Sequence, residues 1–510
     1  MNRSAVASGP TLPEDRDWFV FTFFLSVFAY LYANLALLCG IPLLLSGDQV
    51  YFWMEAQRLA RGEKIYHDFL QFTPPGTDLV YLAFFRVFGQ RLWVTNAIVA
   101  LLGVALCWIC FRLACQLMRP RLALLPTMLF FVLVYGRLLN ATHHFFSLFF
   151  CMAAALVFRS DRPRIALAAM FLGIAAFFTQ THAVAVLLAL SIYLIASSVR
   201  QQVPWKTIFF DQATLFLVFA SMLLLLSLYF LADVGFREIW YHQVTYVRNY
   251  VRGAFPGTFL GIRVPVGWRA LPALSQYLFV CALPLVVCPL ALWLIWRSRN
   301  TAPTSEGARV VRLSLIGLFL FLEVANNPNW FRLYTISMPS LIIFVWLISH
   351  ARRCSRALCV FACTALLLLA LGQTFVRQRH DYVVATLPAG TVAIDSKAFI
   401  PLNAVLQRTH PGDYFFQAIW PGLYFPLQLR NPLYVDTVWP SEETRPEFVE
   451  RAVHELALRP TRYILWSHSI DGPERGNESA DHLSLLRSYL RENYRKVEQL
   501  PDGAELWERE

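Results

Sequence analysis

Apolar stretches recur along this chain from Trp18 to Phe375 and then stop. Each is near the length of about 20 residues that an α-helix needs to cross the hydrocarbon core of a bilayer. Hydrophobic residues make up 57% of the sequence and charged residues only 15%. A soluble protein of this size would carry more polar surface. The pattern therefore predicts a polytopic α-helical membrane protein with a soluble domain after its last span.

We predict about eleven transmembrane helices. They lie at residues 18–45, 92–118, 122–136, 142–158, 165–179, 181–198, 208–232, 273–296, 310–325, 333–349 and 357–375. The first stretch lacks the short apolar core and the small-residue cleavage site of a secretory signal. It is therefore predicted to remain as the first span.

Basic residues favour one orientation, because basic flanks resist translocation. Placing residues 1–17 in the cytoplasm puts most of the loop arginines inside, whereas the short outer loops hold only Arg137 and Arg332. This topology explains the formal net charge of +11 without a nucleic-acid partner. The prediction is a transmembrane domain at 18–375 and an outer domain at 376–510.

Cysteine usage predicts neither a disulfide framework nor a metal site. All ten cysteines lie between Cys39 and Cys363, in or next to apolar segments, and no CxxC or HExxH motif occurs. Cys107 and Cys110 are one helical turn apart in an apolar run, which is more typical of membrane-core thiols than of metal ligands. No cofactor is predicted, and the sequence does not support a divalent cation.

Two outer segments are too long for simple turns, and long loops often carry function. They span residues 46–90 and 233–272. In the first, Asp48 precedes a helical pattern that ends at Gly62 and places Val50, Trp53, Met54 and Leu59 on one side. This pattern predicts a helix lying in the membrane interface. A second amphipathic piece, Leu79 to Phe88, follows.

Asp48 directly follows the first span and has two interpretations. A carboxylate at the outer membrane surface that faces a polar cavity can act as a general base, whereas the simpler role is a helix cap. Other acidic residues in the same loop keep the choice open: Glu55, Glu63, Asp68 and Asp78.

The second long loop is rich in arginine and aromatic residues, against the usual charge bias of outer loops. Its arginines include Arg248 and Arg252. Such a cluster suits a phosphate at the headgroup level, and adhesion to anionic lipid is an equal alternative. Further candidates for the same cavity are Arg137, His143, His144, Gln180, His182, Arg332 and Tyr334. Snorkelling interfacial residues are an alternative interpretation of Arg137, His143, His144, Arg332 and Tyr334, each taken singly. A plain turn is the alternative interpretation of Gln180 and His182.

The segment after the last span alternates strand and helix patterns and predicts a small α/β domain. The strands are Thr391–Ile394, Tyr414–Ile419 and Tyr463–Trp466, and the helices are Glu442–Leu458 and His482–Glu492. The domain has no glycine-rich phosphate loop and no nucleophile elbow. We expect an accessory role, either in selecting an acceptor or in bracing the outer loops.

The first outer loop resembles that of the GT-C glycosyltransferases, and most narrowly the bacterial family 39-like group of protein O-mannosyltransferases and the aminoarabinose transferase of lipid A. The resemblance rests on an ordered string: Asp48, Tyr51, Ala60-Arg61-Gly62, Tyr66-His67-Asp68, Thr73-Pro74-Pro75-Gly76 and Phe88-Gly89. The Arg332-Leu333-Tyr334 pattern with Pro339 and the outer domain at the end are similar to the same group.

The resemblance implies an inner-membrane enzyme of bacteria that transfers a sugar from a polyprenyl-phosphate donor to a lipid, glycan or protein hydroxyl on the periplasmic face, usually with inversion. It implies that Asp48 is the catalytic base. Candidate contacts to the substrate or its phosphate are Arg248, Arg252, Arg332, Tyr334, Tyr66 and His143. Gln49 and Thr73 depart from the family pattern and argue against the lipid A substrate, and His143 stands near where relatives often have another acidic residue.

Two other classes remain open. A membrane transporter or lipid flippase would line a pathway with its polar residues, although the internal repeat typical of transporters is missing from this sequence. A degenerate GT-C-like protein would act as an assembly partner without catalysis. Release of free lipid phosphate from a labelled donor distinguishes the enzyme from both.

Overall fold

A computed structural model describes residues 15–158, 164–251, 271–297, 305–325, 330–350, 356–440, 443–472 and 481–510. Its helices before the tail are α1 Asp15–Leu35, α2 Gln49–Ala60, α3 Gly76–Phe88, α4 Leu92–Ala114, α5 Pro120–Leu138, α6 His143–Val157, α7 Ile165–Ala176, α8 Gln180–Arg200, α9 Trp205–Trp240, α10 Leu271–Arg297, α11 Ser305–Val324, α12 Trp330–Thr335, α13 Met338–His350 and α14 Arg356–Gln378. A π-helical stretch, Phe131–Tyr135, lies within α5.

Every stretch predicted to span the membrane overlaps at least one helix, and the stretch predicted at 333–349 is divided between α12 and α13. Among the described residues, six helices are long and apolar enough to cross a bilayer: Trp18–Leu35, Leu92–Ala114, Pro120–Leu138, Gln180–Arg200, Trp205–Asn249 and Ala357–Gln378. Four shorter apolar helices accompany them: His143–Val157, Ile165–Ala176, Ala282–Arg297 and Met338–His350. The chain is thus a mainly helical membrane protein, as its hydropathy predicts.

The helix ends that differ most from the sequence prediction are those of α1 and α9. The first helix ends at Leu35, ten residues before the predicted end of the span. The predicted loop from Asp233 is instead helical as far as Asn249, with a kink at Gly235, where φ is +83°. Local apolar content does not determine where a helix ends, because tertiary packing overrides local sequence preference. Such packing can end a helix within apolar sequence or extend it into polar sequence. Residues 252–270 of that predicted loop lie outside the described part.

The two helices of the first outer loop, α2 and α3, are both present, but their surroundings differ from the prediction. Val50, Trp53 and Met54, the apolar side of α2, are buried in protein. The Trp53 ring lies 5.8 Å from that of Phe425 in the C-terminal domain. An amphipathic pattern indicates one apolar face but not whether lipid or protein covers it. Here protein covers it.

The C-terminal domain is a small α/β unit, as predicted. Its elements are β1 Tyr382–Leu387, β2 Gly390–Asp395, α15 Ser396–Leu406, β3 Phe415–Gln417, α16 Tyr424–Leu427, α17 Pro446–Leu458, β4 Tyr463–Trp466, α18 Ser484–Asn493, β5 Tyr494–Gln499 and β6 Glu505–Arg509. Strands β1 and β2 form an antiparallel hairpin, and the other four form a sheet in the order β3-β4-β6-β5. Only β3 and β4 run parallel within that sheet.

The hairpin attaches this domain to the chain just after α1. Ala393 of β2 donates its N–H to the Pro42 carbonyl and accepts from the N–H of Leu44, both at 2.9 Å. Strand pairing of this kind fixes register as well as proximity. The C-terminal domain therefore lies against the segment that carries Asp48.

Candidate active site

Asp48 occupies the N-cap position of α2, yet its carboxylate makes no capping hydrogen bond. Its backbone is helical rather than extended (φ −56°, ψ −17°), which directs the side chain away from the first-turn N–H groups. The residue is exposed to solvent, yet desolvation by the surrounding protein raises the pKa of its carboxyl group above the usual value. Together these observations describe a carboxylate in a recess that is open to water.

The turn before α2 is tied to the short loop between α5 and α6. Gln49, which is buried, donates to the carbonyl of Leu139 at 3.4 Å and accepts from the N–H of Ala141 at 3.3 Å. Gly47 has φ +89°, and a Cβ atom there would lie 3.2 Å from Nδ2 of Asn140. The departure from the family pattern at Gln49 therefore has a structural role, because its amide joins the two loops that flank Asp48.

Contacts lead from α2 into the helices beside it. The ring of Phe52, one turn after Asp48, lies 5.5 Å from that of His143. The His143 and His144 rings are 4.0 Å apart, and those of His144 and His182 are 5.2 Å apart. The three histidines thus form a continuous cluster at the first turns of α6 and α8.

Glu323 extends this cluster to the late helices. Its carboxylate lies 3.5 Å from Nε2 of His182 and 3.9 Å from the guanidinium of Arg332. We refer to His143, His144, His182, Glu323 and Arg332 as the polar chain. The structure therefore brings two of the predicted phosphate-contact residues, His143 and Arg332, into one contact series with the helix that Asp48 begins.

Several buried polar atoms in and around the polar chain lack a hydrogen-bond partner among the described residues. They are Asn140 Oδ1, Thr142 Oγ1, His143 Nδ1, His144 Nδ1, Thr179 Oγ1 and His182 Nδ1. Buried polar atoms in proteins are nearly always paired, so such a concentration is unusual. The region is suited to receive a polar group of a substrate.

The other acidic residues of the first outer loop differ from Asp48. Glu55 and Asp78 are buried, and both accept a hydrogen bond from the side-chain amide of Gln71, at 2.8 Å and 3.0 Å. Asp68 contacts His67 at 2.9 Å and accepts from the N–H of Lys64. Glu63 pairs with Arg58 at 2.7 Å. Asp48 is therefore the acid in this loop whose carboxylate is both exposed and unpaired within the described structure.

Tyr66 lies beside the polar chain. Its hydroxyl accepts from the Gln243 amide at 2.5 Å, and Gln243 accepts in turn from Gln180 at 2.5 Å. Gln180 is in the turn of α8 that carries His182. The Tyr66 ring also stacks on that of His242, with centroids 5.3 Å apart.

The remaining predicted site residues are placed differently. Tyr334 is buried two residues after Arg332. Arg248 is exposed on the short helix Val247–Asn249, and no hydrogen bond or ion pair within the described residues joins it to the polar chain. Arg252 lies outside the described residues. Within the described residues, no group of three or more His, Cys, Asp or Glu side chains is arranged to hold a metal ion.

No family model and no curated protein sequence matches the chain. Crystal structures of ArnT from Cupriavidus metallidurans are similar to it over 97% of this chain and 98% of theirs. The apo structure gives a TM-score of 0.58 at 12% identity, and the structure bound to undecaprenyl phosphate gives 0.59 at 13%. ArnT is an aminoarabinose transferase of the GT-C superfamily.

The chain has the GT-C fold. This confirms the predicted resemblance at the level of the fold. The archaeal oligosaccharyltransferase AglB from Archaeoglobus fulgidus, in complex with an inhibitory peptide and a dolichol-phosphate, gives a TM-score of 0.49 at 10% identity and covers 97% of this chain and 75% of that one.

Within this GT-C fold, sequence reasoning missed Glu323 and the role of Gln49. A signal for Glu323 was present, because it is the one acidic residue in the apolar second half of α11 and an acid in such a position usually faces a polar interior. Gln49 carried no comparable signal. Its importance comes from its two backbone partners, which lie far along the chain.

Proposed function

We propose that this protein is a membrane glycosyltransferase that transfers a sugar from a polyprenyl-phosphate donor to an acceptor hydroxyl at the outer face of a bacterial inner membrane, with inversion. The exposed, uncapped carboxylate of Asp48, in a chain with the GT-C fold, carries the proposal. The undecaprenyl phosphate bound to one ArnT structure supports the class of donor.

In the proposed reaction, the acceptor oxygen attacks the anomeric carbon of the sugar and forms the new glycosidic bond. Asp48 takes the hydroxyl proton, and the bond between the anomeric carbon and the phosphate oxygen breaks. The electron pair leaves with the polyprenyl phosphate, which gains negative charge. A guanidinium group stabilises that charge without a proton, so a second carboxylic acid is not required.

Arg332 is the best-supported phosphate contact, because it belongs to the polar chain. His143 would border the same ligand, and Tyr66 and Tyr334 would shape its surroundings. Arg248 and Arg252 are proposed as phosphate contacts on the composition of their loop alone. We propose no metal cofactor and no nucleic-acid partner.

The proposed topology has eleven spans, residues 1–17 in the cytoplasm, a catalytic membrane domain at 18–375 and a periplasmic domain at 376–510. The loops at 46–90 and 233–272 then share the outer face with the C-terminal domain. This arrangement places Asp48 where a lipid-linked donor and an outer acceptor can meet.

The decisive experiment replaces Asp48 by Asn and follows radiolabelled polyprenyl-phosphate sugars incubated with the purified protein and envelope extract. We expect transfer and release of free polyprenyl phosphate to fall by about 10²- to 10⁴-fold, because loss of a general base costs this much. Since no cap hydrogen bond exists to be lost, stability should be unchanged. Full activity of Asp48→Asn would remove the base assignment.

Glu492→Gln is the matched control, because Glu492 is an exposed carboxylate on α18 of the C-terminal domain. It should transfer sugar at the rate of the unmodified protein. A transporter, a flippase or a non-catalytic assembly partner would release no lipid phosphate in either variant or in the unmodified protein.

A further inference from the structure

Helix α2 is held from outside by one segment of the C-terminal domain, residues 433–438, which we call the clasp. Arg58 of α2 donates to the carbonyl of Leu433 at 3.0 Å and to the carboxylate of Asp436 at 3.2 Å. Near the start of α2, the hydroxyl group of Tyr51 lies close enough to Thr437 and Asp436 to interact with them electrostatically. The clasp therefore runs along α2 from its end towards the turn that carries Asp48.

Three carboxyl groups meet where the clasp and the first outer loop touch. Glu55 of α2, Asp78 of α3 and Asp436 of the clasp are exposed by only 3%, 0% and 8%. The side-chain amide of Gln71 donates to both Glu55 and Asp78, and Glu55 lies close enough to Asp436 to raise the pKa of the Asp436 carboxyl group. We call these three residues the carboxyl cluster.

The surroundings of the carboxyl cluster supply too little positive charge to ionise it fully. Among the described residues, the charged and titratable groups that act on it are Arg58, Tyr51, Tyr66 and Tyr424, whereas Glu63 and Glu455 act on Arg58. Arg58 is the cation of this set, and it is also paired with Glu63. An unpaired buried carboxylate is strongly unfavourable in such a place.

The hydrogen bonds of Gln71 point the same way. Its one neutral amide group donates to both Glu55 and Asp78, at 2.8 Å and 3.0 Å, which holds the two buried carboxyl groups close together. Two like charges so close in a buried site disfavour each other, so the cluster is expected to hold protons. Burial raises the pKa of all three groups, that of Asp78 to about 7, and Arg58 opposes the rise at Asp436.

We propose that the carboxyl cluster is a proton-held junction that fixes α2 against the C-terminal domain and so positions Asp48, with Asp436 as the positioning residue contributed by that domain. The inference rests on the proposed function. Glu55 lies seven residues after Asp48 on one rigid helix, a distance of about 10 Å at 1.5 Å per residue. A shift of the junction is therefore transmitted directly to the base.

The pH dependence of this junction has a definite sign. Carboxyl groups whose pKa is raised in the folded protein stabilise it fully at pH values below their ordinary range near 4, and this stabilisation is lost as pH rises through the raised pKa. For Asp78 that window runs from about 4 to about 7. Docking of the clasp should weaken over this window as protons leave.

The test compares Glu55→Gln and Glu55→Ala with the unmodified protein. Glutamine imitates a permanently protonated Glu55, because its amide donates a hydrogen bond at every pH. Amide hydrogen exchange, corrected for intrinsic rates, would be measured from pH 5 to 8 at Leu70, whose N–H donates to the carbonyl of Tyr434 across the domain boundary at 2.8 Å. Transfer would be assayed over the same pH range as kcat and KM.

We expect protection in the unmodified protein to fall severalfold as pH rises, and Glu55→Gln to abolish that fall. Glu55→Gln should also remove the decline of kcat towards alkaline pH, with little change in KM. Glu55→Ala should lose protection and kcat at all pH values. Asp436→Asn should repeat the flattened profile, and Glu492→Gln should behave as the unmodified protein.

Identical pH profiles of protection in the unmodified protein and Glu55→Gln would overturn the junction. Loss of protection in Glu55→Ala with normal kcat would overturn the positioning of Asp48. The exchange measurement needs no catalysis, so failure of the proposed function, seen as no transfer by the unmodified protein at any pH, is distinguishable from failure of this inference.

Discussion

Asp48 and Glu55 lie about two turns apart on the same short helix, and their surroundings are opposite. Asp48 is exposed and without a capping bond, whereas Glu55 is enclosed beside two other carboxyl groups and accepts a hydrogen bond from Gln71. A general base needs to be ionised and reachable, and a proton-sharing group needs neither property. One helix therefore carries an acid suited to catalysis and an acid suited to holding structure.

The raised pKa of Asp48 predicts an acid limb in the pH profile of transfer. Because the base acts only when ionised, kcat/KM should increase with pH through that raised pKa and then level off. The measurement is kcat/KM between pH 4 and 8 in the Glu55→Gln background, where the alkaline decline should be removed. A value of kcat/KM that stays constant down to pH 4, close to the usual aspartate pKa of 3.8, would contradict this prediction.

At the scale of elements, α2 depends on the glycine at each of its ends. Gly47 and Gly62 both have positive φ, +89° and +93°, which residues with a Cβ rarely adopt. Their surroundings differ, because a Cβ at Gly47 would crowd Asn140 whereas nothing lies within 4 Å of one at Gly62. The turn that carries Asp48 is therefore held by packing, and the turn at the other end is not.

This difference predicts unequal effects of two matched substitutions. Gly62→Ala should cost about 1 kcal/mol of stability from backbone strain alone. Gly47→Ala should cost about 1 to 3 kcal/mol, because the loop that carries Asn140 must also shift. Only Gly47→Ala should lower kcat, since it displaces Asp48. Thermal unfolding in detergent and the transfer assay measure the two quantities, and equal kcat values would refute the argument.

At the scale of the whole molecule, the C-terminal domain forms part of the wall around the outer loops. Tyr246 of the second long loop donates its hydroxyl proton to the carbonyl of Glu443 at 2.5 Å. The guanidinium of Arg445 lies 4.1 Å from the Tyr250 ring. Aromatic residues that the sequence places at the membrane interface thus pack on the C-terminal domain instead, which favours bracing over a loosely attached accessory role.

Removal of residues 381–510 tests this bracing. Without the clasp, Arg58, now exposed by only 1%, would lose the Leu433 carbonyl and the Asp436 carboxylate. We expect amide protection of α2 to collapse and transfer to be lost, while the long apolar helices keep their protection. A truncated protein with a protected α2 and an altered choice of acceptor would support acceptor selection instead.

The amino-acid sequence was enough to predict the membrane class, the positions of the apolar helices, both helices of the first outer loop and the α/β character of the tail. These features depend on residues close together in the chain, through span length, period and turn residues. It also singled out Asp48, His143 and Arg332 as candidates, but it left open whether they meet.

Which acidic side chains are exposed and which are buried depends on the folded structure. It left Asp48 uncapped, buried Glu55 and Asp78 under Asp436, and connected Glu323 to His182 and Arg332. Desolvation and pairing depend on groups from distant parts of the chain, which a local pattern does not contain. The same reason applies to the apolar side of α2. The helical period of the sequence predicts this side, but only the fold shows that protein and not membrane covers it.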